Sequence, residues 1–151
     1  MNNIKRFAPA AARTLQGLVF FVFGLNGFLQ FLPQPPLPEA AAGFAGALAA
    51  SGYLFPLLKG TEVVAGALLL SNRYVPLALA LLAPIVVNIV AFHTFLTPPS
   101  PVAWLVLALE IYLAYAYRAA FRPMLAARVD AGAAERSGAE RGKLREAESA
   151  A

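Results

Sequence analysis

The chain has 151 residues, of which 60% are hydrophobic and only 13% charged, with a mean hydropathy of +0.65. Soluble domains average about 25% charged residues, so this composition excludes an ordinary water-soluble globule and excludes disorder for most of the length. Cysteine is absent, which removes disulfides, thiolate zinc sites, iron–sulfur clusters and thiol relays carried by this chain alone.

The first apolar run, Thr14–Leu32, is long enough to cross a ~30 Å hydrocarbon core as a helix, which takes roughly 20 residues. Lys5, Arg6 and Arg13 precede it, Asn26 and Gln30 interrupt it, and Pro33, Pro35, Pro36 and Pro38 stop it. Glu39–Ala50 is rich in alanine and glycine and too short to cross. It is expected to form a short interfacial helix, on the membrane surface or over the mouth of the helices. A second span, Tyr53–Ser71, carries Lys59 and Glu62, and Ser71-Asn72-Arg73 leads into a third, Tyr74–Leu96. Pro76 suits the first turn of that helix, whereas Pro84 frees a carbonyl one turn earlier and predicts a kink near Asn88. After Pro98, Pro99 and Pro101 comes the fourth span, Val102–Ala120, with Glu110 inside it and Arg122-Pro123 at its end. From Met124 the composition changes to Ala, Glu, Arg and Gly, which predicts a solvated, disordered tail. The expected architecture is all-α: an integral membrane four-helix bundle over residues 1–123, with a short interfacial helix after the first span, and a disordered C-terminal tail over 124–151.

The net charge of +4 comes from basic residues gathered at one set of flanks. Lys5, Arg6, Arg13, Arg73, Arg118, Arg122 and Arg128 lie on one side of the four spans, opposite loops that hold only Glu39. The positive-inside rule therefore puts both termini in the cytoplasm. A cleaved signal peptide ending near Ala40-Ala41-Ala42 is the competing reading of the N-terminus. Against it stand the length of the apolar run, the proline cluster behind it, and Asn26 and Gln30 within it. Nucleic acid is disfavoured as a partner, because the tail mixes acidic with basic residues and lacks interleaved aromatics.

Ionisable groups inside a bilayer cost roughly 2.5–3.5 kcal/mol each at a helix centre, so each needs an explanation. Measured from the outer boundary, Asn26, Lys59, Glu62, Asn88 and Glu110 fall at similar depths, roughly 9–14 Å down at 1.5 Å per residue, which predicts one polar layer fed by four helices. His93 sits higher, near the outer mouth. Phe55, Lys59, Glu62 and Gly66 share one helical stripe, so Lys59 can neutralise Glu62 directly, or Glu62 can be held neutral by a proton. Gly17 and Gly24 lie nearly opposite Asn26, a small-residue face suited to close packing with another helix or with a second copy of the chain. Glu110 has no basic residue near it on its own helix, so its partner must come from another helix, a ligand or a proton. The structural alternative for Asn26, Gln30 and Asn88 is interhelical hydrogen bonding. For Lys59 with Glu62 it is an ion pair that fixes register. One histidine and no cysteine leave no metal site expected, and no catalytic residue is assigned.

Several segments resemble a known family. Phe23-Gly24-Leu25-Asn26-Gly27, the proline-rich Leu32–Pro36 with the Ala-rich Glu39–Ala50 behind it, and Ser51-Gly52-Tyr53 leading to Glu62 and Gly66 come first. Asn72-Arg73 with Pro76, and Ala83–Asn88 with Phe92-His93, follow. Their order and spacing resemble the DoxX and DoxX-like family of small four-helix bacterial membrane proteins, over about Arg13 to Pro123. The resemblance implies a bacterial inner-membrane location, family-typical positions at Asn26, Glu62, Asn88 and His93, and association with membrane oxidoreductase subunits or thiol-stress systems. Some family members are subunits of thiosulfate:quinone oxidoreductase, while most have no established activity, so the resemblance fixes no cofactor and a quinone is the one it suggests. A direct thiol or persulfide role has no cysteine here to rest on. The functional expectation is a membrane subunit of a redox (quinone-linked) system, with a quinone or small anion lodged at the polar layer and Asn26, Lys59, Glu62, Asn88, His93 and Glu110 as ligand-binding or proton-relay residues. The alternatives are a small-solute or proton carrier, and a structural or assembly protein in which the layer only holds the helices together.

Overall fold

The computed structural model describes residues 2–33 and 36–128. Among these the secondary structure is helical throughout, with no strand: α1 (Asn2–Leu29), α2 (Glu39–Ala50), α3 (Leu54–Leu70), α4 (Val75–Phe95), α5 (Pro101–Ala116) and α6 (Arg118–Phe121). Proline sets several boundaries. Pro38 stands at the N-cap of α2, and Pro76 and Pro101 occupy the first turns of α4 and α5, where a missing N–H costs nothing. α1 ends earlier than the apolar run because Gln30 turns left-handed, with φ of 49°. The Asn26 side chain then accepts the Leu32 amide at 2.7 Å, a cap on the departing chain. α4 continues as one helix through Pro84.

Within Met1–Arg118 the packing forms a closed ring: α1 against α3, α3 against α4, α4 against α5 and α5 against α1. α2 makes a lighter contact with α3 and turns 92° to it. The α1–α3 contact is antiparallel and very close. Gly17 faces Gly66, Leu69 and Leu70, Gly24 faces Glu62 and Val63, and Gly27 faces Lys59. The glycine face of α1 is thus occupied by α3 of the same chain, which corrects the alternative that a second copy covers it. Small residues let two backbones approach, and where lipid is as apolar as the side chains, such contacts and polar bonds do the holding. Arg13 adds one, donating from its guanidinium to the Leu69 carbonyl, and to that of Leu70 at 3.5 Å, at the end of α3.

The ring is apolar outside as well as inside. Leu18, Val64, Leu81, Val87 and Ile111 are all exposed, while Phe20, Leu69, Leu82, Val86 and Leu113 fill the interior together with four buried polar residues, Gln16, Asn26, Glu62 and Glu110. Helices apolar on all sides belong in a membrane. By length and composition, Phe7–Leu29 and α4 are each able to cross one, and α2 with α3 counts as a third, bent span. α5, with 16 residues, rises only roughly 24 Å. The two or three candidate spans among the described residues are fewer than the four expected.

Of the second unit, Ala119–Ala151, residues 119–128 are described. They hold the end of α6 and a turn closed by the Leu125 amide on the Phe121 carbonyl at 3.0 Å. Most of the expected tail, 129–151, lies outside the described residues.

Candidate functional site

Between α1, α3, α4 and α5 lies a cavity of about 880 Å³. Five of the six residues singled out from the sequence line it: Asn26 from α1, Lys59 and Glu62 from α3, and Asn88 and His93 from α4. Gln30 joins them. The walls are apolar, with Phe20, Phe23, Phe55, Ile85, Ile89 and Val106 among them. α2 supplies the cover, for Phe44, Ala45 and Leu48 also line the cavity and the Phe44 ring meets Phe92 with centroids 5.8 Å apart.

Each polar group has a defined state. Lys59 Nζ bonds both carboxylate oxygens of Glu62, at 3.0 and 2.9 Å, across one turn of α3. Glu62 is almost fully buried, with 3% of its side chain exposed, whereas Lys59 keeps 20%. The pair is electrically neutral, and an ammonium has three N–H groups, so one remains for a ligand. The Lys59 stem lies in the notch left by Gly27, where a Cβ would come within 2.5 Å of Lys59 Cγ. Asn26 spends its oxygen on the Leu32 amide and leaves its NH₂ without a protein partner among the described residues. Asn88 is exposed and makes no side-chain hydrogen bond among the described residues. His93 Nδ1 lies 2.9 Å from the Ile89 carbonyl. A carbonyl only accepts, so Nδ1 is the donor in this contact.

Glu110 does not belong to this group, which corrects the expectation of a single polar layer. Its Oε2 accepts from Gln16 Nε2 at 2.9 Å, and no other polar contact to it occurs among the described residues. Gln16 lies ten residues before Asn26, roughly 15 Å nearer the N-terminus along α1, so the two cannot share a level. Gln16 precedes the cavity residue Phe20 by one turn, and Glu110 follows the cavity residue Val106 by one turn. The second centre therefore sits one turn beneath the cavity, with Phe20 and Val106, each 2% exposed, between them. The sequence reading missed Gln16. Its signal was present: an amide inside an apolar run, on the helical face of Phe20.

Comparison with protein-family models, with curated proteins and with solved structures finds no match to this chain.

Proposed function

We propose that the chain is a DoxX-like integral membrane protein of the bacterial inner membrane. It spans as a four-helix bundle with both termini cytoplasmic, and serves as the membrane subunit of a quinone-linked redox system. The observation that carries this is the cavity, in which apolar walls from four helices surround Lys59, Glu62, Asn88 and His93 under the cover of α2. Its volume of about 880 Å³ falls in the range of small-molecule sites, roughly 300–1,000 Å³, which are likewise mostly apolar with a few placed polar groups. These residues fit a quinone headgroup. A quinone bound there would supply reversible two-electron, two-proton chemistry.

The chain's own part is binding and orientation. The remaining N–H of Lys59 and the amides of Asn26 and Asn88 donate to oxygen atoms, and the Glu62 carboxylate keeps the lysine charge neutralised inside the apolar walls. His93, its Nδ1 held by the Ile89 carbonyl, offers Nε2 to the ligand. α2 lines one side of the cavity through Phe44 and Leu48.

The test is a native mass spectrum of protein purified in mild detergent, followed by thermal unfolding with added short-chain quinone. Co-purified quinone, or a rise in unfolding temperature that Lys59→Met abolishes, is expected. Protein that retains no quinone and whose stability is indifferent to it refutes the proposal.

A further inference from the structure

The centre beneath the cavity holds one unpaired acceptor. Gln16 is completely buried, its Nε2 donates to Glu110 Oε2 at 2.9 Å, and its Oε1 has no hydrogen-bond partner. An unpaired buried acceptor costs about 1–3 kcal/mol. A carboxylate whose only polar contact is a neutral amide also leaves an uncompensated charge in the interior. No ammonium or guanidinium among the described side chains bonds Glu110. On α1, Arg13 lies one turn nearer the N-terminus than Gln16 and is engaged by the Leu69 and Leu70 carbonyls. On α4, His93 stands at the opposite end of the helix, bonded to Ile89. On α3, Lys59 is paired with Glu62. On α5 itself the other titratable groups are Tyr112 and Tyr115, with Tyr117 at its C-cap.

A primary amide and a carboxylic acid satisfy each other through two parallel hydrogen bonds, amide N–H to acid oxygen and acid O–H to amide oxygen. The first is in place between Gln16 and Glu110, and the atom that would accept the second is the orphan. We propose that Glu110 is a proton-binding site: the folded protein holds a proton on its carboxyl group, donated in a hydrogen bond to Gln16 Oε1. The proton is taken from water as the chain folds, so that a carboxylate and a hydronium ion become an acid and a water molecule. One proton on Glu110 satisfies the orphan acceptor and removes the buried charge together. Because the pair sits one turn beneath the cavity, behind Phe20 and Val106, the proton is stored next to the ligand site without lining it. None of this depends on a quinone occupying the cavity.

The test is infrared spectroscopy of the full chain in lipid nanodiscs, in light and heavy water at neutral and mildly alkaline pH, comparing wild type with Glu110→Gln. The expected result is a carboxylic-acid C=O band in wild type that shifts in heavy water and is lost in Glu110→Gln. Absence of the band in wild type, or its survival undiminished in Glu110→Gln, overturns the proposal. Folding gives a second readout. Glu110→Gln makes the same two bonds as an amide pair and is expected to keep wild-type folded yield, whereas Gln16→Leu removes both bonds and loses yield. A Glu110→Gln protein that fails to fold overturns the proposal too. No quinone enters either measurement, so the outcome is independent of the function proposed for the cavity.

Discussion

Gly66 of α3 lies so close to Phe21 of α1 that a Cβ built on it would fall 2.6 Å from the Phe21 amide nitrogen and 2.9 Å from the Gly17 carbonyl oxygen. Both obstacles are backbone, which cannot rotate aside. Gly66→Ala must therefore push two helices apart, and overpacking of this kind costs about 1–3 kcal/mol. The variant is expected to unfold at lower temperature in detergent, and Gly60→Ala, where an added Cβ meets nothing, serves as the control.

Lys59 and Glu62 make an ion pair whose acidic member is the more buried. Lys59→Met strands the Glu62 carboxylate in an apolar wall and should cost about 3 kcal/mol, the lower end for a broken buried pair because Lys59 keeps some solvent. Lys59→Met with Glu62→Leu removes both charges and should recover most of that loss. A double-mutant cycle on unfolding free energies measures it, and purely additive losses would contradict the pairing.

α2 is held over the cavity in part by Phe44 against Phe92. An aromatic pair contributes about 1 kcal/mol beyond its buried area. Phe44→Ala should therefore raise hydrogen exchange across α2 roughly fivefold and leave α4 unchanged.

The single histidine makes its tautomer directly observable. Nitrogen-15 spectra of histidine-labelled protein should show Nδ1 protonated, because the Ile89 carbonyl can only accept. The opposite tautomer would remove His93 as an acceptor facing a ligand.

Much of the helical layout was legible. Glu39–Ala50 is a helix over that same range, and the apolar runs Tyr53–Ser71 and Tyr74–Leu96 each contain a helix one residue shorter at either end. Prolines and the Ser71-Asn72-Arg73 turn mark these limits chemically, since a ring without an N–H and a short polar side chain both disfavour helix interiors. Two ends were not legible. α1 stops at Leu29 because Gln30 goes left-handed and Asn26 caps Leu32, and α5 stops at Ala116, short of the apolar run.

Side-chain spacing along one helix shows which residues share a face, and by itself the sequence determined an apolar, all-helical chain in which Lys59 and Glu62 share one stripe. Which faces meet depends on how each helix is rotated and shifted against its neighbours, and only the tertiary structure decided that. It turned the Gly17 and Gly24 face toward α3, brought Asn26, Lys59, Glu62, Asn88 and His93 to one cavity, and gave Glu110 to Gln16 instead. Depth counted from span boundaries assumes that all helices begin at one level. In the folded chain Glu110 meets Gln16, ten residues from Asn26 on α1, and the single expected layer is two centres.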